Sequence, residues 1–217
     1  MRREDLTVIY YTSNRENPVF EENIKRHLLE QIDGLPLISV SQKPIDFGKN
    51  ICVGEVGISG HNAFRQLQMG VQEAKTKYIC PAESDMVYSP QYFDFVPPRD
   101  DIFYLASPLH VLFNQRRFGR SFALKTHGSE SAMIVSRDLV LGRMEDMFKG
   151  AEMWGPIEEE IWLLRKQPVE FIPDTPVLTF KTDNNMHRKT PHDVNSRVKD
   201  VPYWGNVYDV IKRFNAN

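Results

Sequence analysis

Residues 79–90 read Ile-Cys-Pro-Ala-Glu-Ser-Asp-Met-Val-Tyr-Ser-Pro, an apolar run that delivers Glu83, Ser84 and Asp85 and then closes on a proline turn. Carboxylates at i and i+2 past a strand end can both face a ligand once the backbone leaves the pleat. Such hard oxygen donors suit Mg²⁺ or Mn²⁺, so the pair points to a metal-diphosphate site. The same tripeptide is also ordinary turn chemistry, with both acids simply hydrated. The elements around it weigh between the two readings.

Leu6 to Tyr11 is β-branched and aromatic and ends at Thr12-Ser13-Asn14, a strand followed by a polar loop. Phe20, Ile24, Leu28, Leu29 and Ile32 recur at helical spacing, with Glu21, Glu22, Lys25 and Arg26 opposite them and Gly34 as a stop. A strand is predicted at 37–40, and 51–54 reads as a short apolar piece. A second helix follows Ser59, with Phe64, Leu67, Val71 and Ala74 on its apolar face, and Tyr78-Ile79-Cys80 is the strand that leads into the acidic tripeptide. This alternation predicts α/β layering with parallel strands, whose ligands sit at the carboxyl ends. Glu83 and Asp85 lie at such an end.

After Pro97-Pro98 the order changes. Strands are predicted at 102–106 and 131–135, and a helix from about Pro156 to Lys166 carries Glu158, Glu159 and Glu160 near its positive end. Residues 181–200 are polar and nearly free of apolar anchors, which predicts a loop or lid. Arg116, Arg117, Arg120 and Lys125 interleave with Phe113, Phe118 and Phe122. That cluster suits a phosphorylated, lipid-linked or nucleic-acid acceptor, or a surface hairpin whose aromatics pack inward. Trp154 and Trp204 either floor a sugar pocket or fill the core.

The whole chain sets the bounds. Its 217 residues are enough for one large domain, and 41% apolar with 26% charged residues is ordinary for a globular protein. A net charge of −2 gives no global pull toward nucleic acid or anionic membrane. No run approaches the length of a membrane span, and the apolar stretch near the N-terminus is too short for a signal-peptide core. Cys52 and Cys80 both sit in apolar runs, which predicts buried reduced thiols and a cytoplasmic protein.

The order strand, Thr-Ser-Asn, helix, strand, then Gly60-His61-Asn62-Ala63-Phe64-Arg65, Ala74-Lys75-Thr76-Lys77-Tyr78-Ile79 and Glu83-Ser84-Asp85 resembles the nucleotide-sugar half of GT-A fold glycosyltransferases of the family 2 type. Gly128 to Arg137 is similar to that family's acceptor-side strand, and Glu158-Glu159 before Leu163-Leu164-Arg165 to its Glu-Asp catalytic helix. The resemblance implies a single GT-A-like, Rossmann-like α/β domain over 1–217, with a mixed central sheet flanked by helices. It divides the chain into a nucleotide-sugar half (1–97) and an acceptor-side half (98–217).

In function it implies a metal-dependent glycosyltransferase that uses a nucleotide-diphosphate sugar, Mn²⁺ or Mg²⁺, and an unidentified hydroxyl acceptor on a glycan, a lipid-linked molecule or a nucleic acid, with inversion. Carried over, Thr12, Ser13, Asn14, Arg65, Glu83 and Ser84 meet the donor, and Asp85 binds the ion. His187 or His192 completes the ion's shell, His187 being the residue assigned here. Glu159 is the base, with Glu158 beside it. Glu83 and Glu159 stand where the family has Asp, which lengthens each arm by one methylene.

Two other functions fit the elements. A nucleotidyltransferase shares the layering, although residues 12–17 contain none of the glycine its phosphate loop uses. A binding protein that keeps the fold without the chemistry is the other.

Overall fold

The computed structural model describes residues 5–115, 119–125, 128–155, 168–184 and 197–216. In chain order these form β1 (Leu6–Thr12), α1 (Pro18–Ile32), β2 (Leu37–Ser41), β3 (Lys49–Cys52), α2 (Gly60–Glu73), β4 (Tyr78–Glu83), β5 (Met86–Val87), α3 (Pro90–Phe93), β6 (Tyr104–Ala106), β7 (Leu109–Gln115), β8 (Gly119–Lys125), β9 (Met133–Ser136), α4 (Arg137–Met147), β10 (Val169–Phe171), β11 (Leu178–Lys181), β12 (Arg197–Val198), β13 (Asp200–Val201), β14 (Gly205–Asn206) and α5 (Val207–Phe214).

A seven-stranded sheet in the order β10-β6-β9-β4-β1-β2-β3 is the frame. Its strands β4, β1, β2 and β3 run parallel, as the alternation predicts, while β9 is antiparallel to both β4 and β6. The central β1 is buried along its whole length, which explains its unbroken apolar run. Leu67 and Val71 of α2, with Val140 and Met144 of α4, cover one face against Ile9, Val40 and Ile79. The other face packs Val8, Tyr10 and Cys80 against Leu28 and Ile32 of α1 and Tyr92 and Phe93 of α3.

A second sheet, β12-β8-β7-β11-β5, sits beyond α1. Phe20 and Ile24 of α1 meet Leu112, Phe122, Leu178 and Phe180 of that sheet and Val210, Ile211 and Phe214 of α5. The helix α1 is therefore buried on two sides. Asn17 caps its start, Oδ1 accepting from Val19 N at 2.9 Å and Phe20 N at 3.3 Å, and Asp33 ends it in the left-handed region.

Several expectations change. Leu29 of the predicted apolar stripe is half exposed, and the buried position beside Phe20 is Glu21, which accepts a hydrogen bond from Tyr10 Oη at 2.7 Å. Cys80 is buried, but Cys52 ends the edge strand β3 and is exposed; both thiols are free. Residues 131–135 begin as a 3₁₀ turn (Glu130–Ala132) and become β9 only at Met133. The polar stretch 181–200 contains the end of β11, all of β12 and the first residue of β13; residues 185–196 lie outside the described residues, as does the predicted helix over 156–166. Phe113 and Phe122 pack inward on the β7-β8 hairpin, and Trp204 fills the core, its Nε1 donating to Pro176 O at 2.9 Å. Among the described residues no helix is long and apolar enough to cross a membrane.

Candidate functional site

The parallel strands β1, β2 and β4 end side by side, and their carboxyl ends open into a shallow cleft of about 120 Å³. The end of β1 supplies Tyr11, Thr12 and Ser13, the loop after it Arg15 and Glu16, the residue after β2 Gln42, and the end of β4 Glu83, Ser84 and Asp85. The first turn of α2 and the loop before it add Gly57, Ile58, Ser59, Ala63 and Gln66.

Hydrogen bonds hold this wall. Gln66 Nε2 donates to Thr12 O (2.9 Å) and Val40 O (3.0 Å), tying the ends of β1 and β2 to α2. Gln42 Nε2 donates to Gly57 O at 2.7 Å, and Gly57 sits at a φ of 85°, where a side chain would be strained. Ser59 caps α2, its Oγ accepting from Asn62 N at 3.1 Å.

The floor is acidic. Asp85 is only 8% exposed, with Lys181 Nζ 3.9 Å from its Oδ2. Tyr11 Oη donates to Glu83 Oε1. Glu16, also 8% exposed, accepts from the Thr182 hydroxyl through Oε1 (3.1 Å) and Oε2 (3.0 Å). Burial first, then the Asp85 charge, pushes the Glu16 carboxyl up to about 7. Burial and Asp85 raise Glu83 in the same way, while the Tyr11 hydrogen bond and the Lys181 and Lys125 charges pull it back. Burial and Glu83 in turn hold the Tyr11 hydroxyl well above its usual range.

A cation is what such a set of carboxylates favours. Among the described residues no three or more His, Cys, Asp or Glu side chains group to hold a metal on their own. Mg²⁺-type sites in nucleotide enzymes need only one or two carboxylates, with phosphate oxygens and water for the rest. The Glu83 and Asp85 oxygens fit that requirement in number and kind.

Of the residues expected from sequence, Thr12, Ser13, Glu83, Ser84 and Asp85 line the cleft together. Asn14 does not line it. Its left-handed backbone (φ 55°) turns Oδ1 to accept from Lys43 N at 2.8 Å, so it shapes the loop. Arg65 also points elsewhere: its guanidinium carbon lies 3.8 Å from the centre of the Phe148 ring, and Nη2 donates to Ala151 O and Glu152 O. Glu158, Glu159 and His187 lie outside the described residues. Tyr11, Glu16, Gln42, Gln66 and Lys181 belong to the site without a motif to mark them; the rule that ligands sit at parallel strand ends is the signal that reaches Tyr11 and Gln42.

No protein-family model matches the chain, and neither does a curated protein. Among solved structures it is similar to the inositol-1-phosphate CTP transferase from T. maritima, with a TM-score of 0.52, 10% identity and 96% of each chain covered. It is also similar to a glycosyltransferase involved in glycosylation of the major capsid of PBCV-1 (TM-score 0.45, 11% identity, 80% of this chain and 92% of that one). A third is a fragment of S. aureus TarS in complex with UDP-GlcNAc (TM-score 0.47, 11% identity), where the match spans 96% of this chain and 65% of the fragment. The end-to-end likeness to the CTP transferase establishes the fold: the expected Rossmann-like, GT-A-like arrangement of a mixed sheet between helices.

Proposed function

We propose that this chain transfers a sugar from a nucleotide-diphosphate donor to a hydroxyl acceptor, with a divalent ion and with inversion. The observation that carries the reading is the cleft at the carboxyl ends of β1, β2 and β4, where Thr12, Ser13 and Ser84 hydroxyls stand beside the Glu83 and Asp85 carboxylates. The hydroxyls and Gln42 suit the ribose and base. Among the described residues, Arg15 lines the cleft and Lys181 stands beside Asp85, two cations suited to phosphate. Asp85 and Glu83 would hold Mn²⁺ or Mg²⁺, which when bound neutralises the departing diphosphate.

The acceptor hydroxyl must lose a proton as it attacks the anomeric carbon from the side opposite the diphosphate. Glu159 takes that proton, Glu158 is its neighbour, and His187 is the further ligand we assign to the ion. A closed, dry cleft favours transfer over donor hydrolysis.

The T. maritima transferase with this fold is a CTP transferase, which makes cytidylyl transfer the second reading. Against it, the loop after β1 has no glycine and turns Glu16 into the cleft, where a triphosphate needs backbone N–H groups and positive charge. A thermal-shift series with UDP-, GDP-, CDP- and TDP-sugars, with and without Mn²⁺, tests the proposal. A ligand at 100 times its Kd adds about 2.7 kcal/mol, which is ~5–10 °C for a chain of this size. Release of pyrophosphate from CTP or UTP with a sugar phosphate, and no response to nucleotide sugars, selects the second reading instead.

A further inference from the structure

A second cavity adjoins the nucleotide cleft. It holds about 80 Å³ between the start of α1 and the ends of β7 and β11, and it shares Glu16 and Asn184 with the cleft. Asn17, Asn114, Thr182 and Asp183 supply the rest of its polar lining. A water needs about 10–15 Å³ of such space, so the cavity has room for about five to eight, the scale of one sugar ring.

The bonds these side chains already make decide what they offer a ligand. Asn17 Oδ1 accepts from Val19 N and Phe20 N as the cap of α1, and Asn114 Oδ1 accepts from Arg120 Nε at 3.0 Å. Main-chain and guanidinium N–H groups can only donate, so neither amide can be turned round. Each asparagine therefore keeps its NH₂ as the polar group without a partner among the described residues. The Thr182 hydroxyl donates to Glu16 and accepts from Asn184 N at 3.2 Å, so it is engaged in both directions. The Glu16 and Asp183 carboxylates supply acceptor oxygens beside the two amides.

Two amide donors facing two carboxylates select by charge. A phosphate or carboxylate would satisfy the amides but stand against Glu16 and Asp183, and an ammonium would leave the amides unmet. A hydroxyl donates and accepts at once, so neighbouring hydroxyls on a neutral ring meet both kinds of group. We propose that this cavity is the acceptor subsite and takes one neutral sugar residue, held by Asn17, Asn114 and Asp183, with the hydroxyl that donates to Glu16 at the junction with the nucleotide cleft. The inference rests on the glycosyltransferase reading for the role of acceptor. Occupancy by a neutral sugar does not depend on that role, and the two can fail separately.

The test follows the side-chain NH₂ signals of Asn17 and Asn114 by NMR during titration with the methyl glycosides of glucose, galactose and N-acetylglucosamine, and with glucose 6-phosphate. Titration to ~100 mM exceeds the ~1–10 mM Kd expected of so small a polar ligand. At least one neutral glycoside should shift both signals and saturate, and glucose 6-phosphate should not. Asn114→Leu removes one donor without adding charge, and Asn17→Ser removes the other while keeping an oxygen to cap α1. Each should weaken glycoside binding about tenfold, the factor that one net hydrogen bond is worth, read on the remaining asparagine and with UDP affinity unchanged. Should Asn114→Leu not fold, Asn17→Ser carries the comparison. In transfer assays the same loss should fall on the acceptor KM, with the donor KM unchanged. No response to any neutral glycoside, a stronger response to glucose 6-phosphate, or wild-type affinity in either folded variant overturns the proposal. Glycoside binding by a protein that binds no UDP with Mn²⁺ removes the functional reading alone, because the glycoside titration is made without nucleotide.

Discussion

Glu16→Gln separates charge from shape in the cleft. Glutamine keeps the size of the side chain and an oxygen that accepts from the Thr182 hydroxyl, but it cannot ionise beside Asp85. In the folded chain the Glu16 carboxyl sits at about 7, against an ordinary 4.5. An acid raised in this way binds more protons folded than unfolded, so its contribution is intact below about 4.5 and is lost as pH rises through about 7. Between pH 5 and pH 8 the two values give a loss of about 2–3 kcal/mol from this one group. The variant lacks that loss. Its stability relative to wild type should therefore rise by about 2–3 kcal/mol from pH 5 to pH 8, or ~5–10 °C in melting temperature.

The assay is thermal unfolding followed by circular dichroism at the two pH values, with a chelator present so that no cation neutralises the site. His27 and His110, which burial holds below their usual range, titrate in both proteins and cancel in the difference. A difference that stays flat with pH, or that favours wild type at pH 8, would refute the account of the acidic floor.

Asp85→Asn should abolish the Mn²⁺-dependent part of UDP binding and leave the ion-free part; equal Mn²⁺ enhancement in titrations of both proteins would rule out the metal assignment. Glu159→Gln should lower kcat by about 10²- to 10⁴-fold with donor affinity unchanged, and Glu158→Gln and Glu160→Gln in the same assay distinguish a lost base from altered charge in that acidic run. Gly70→Ala would place a Cβ 2.3 Å from Ile9 Cγ2 and 3.3 Å from Val40 Cγ2. Overpacking of about 1–3 kcal/mol there outweighs the roughly 1 kcal/mol that alanine adds to a helix, so the urea midpoint should fall. An unchanged midpoint would mean that α2 can lift off the sheet.

What the sequence made legible was the part governed by local rules. Apolar runs ending in polar turns located β1 and β4, and because parallel strands finish at one edge, the strand-end position of Glu83 and Asp85 was legible, while the resemblance to GT-A glycosyltransferases brought Thr12 and Ser13 to the same edge. Leu29 failed because, at 3.6 residues per turn, it stands about 60° outside the arc of Phe20, Ile24, Leu28 and Ile32, whereas Glu21 falls inside that arc and meets the Tyr10 hydroxyl. Arg65 failed because the side of α2 that it occupies is covered by residues 148–152, more than eighty positions away in the chain. Glu16 has no motif, and its importance arises from proximity to Asp85 and Thr182. The stripe Val207, Val210, Ile211, Phe214 of α5 is regular, but eight residues are too few for periodicity to separate a helix from a strand.

The chain leaves the seven-stranded sheet at Glu83 and joins the second sheet at Met86, with only Ser84 and Asp85 between. Asp85 O accepts from Phe180 N at 2.7 Å, so the acidic turn is stitched to β11 while its other end is still part of β4. One short crossing between the sheets, Ser84-Asp85, thus carries an acid of the cleft floor, while the equally short Ser107-Pro108 joins β6 to β7. A relative slip of the two sheets would act directly on this dipeptide and so on the separation of the two carboxylates, whose repulsion varies inversely with distance.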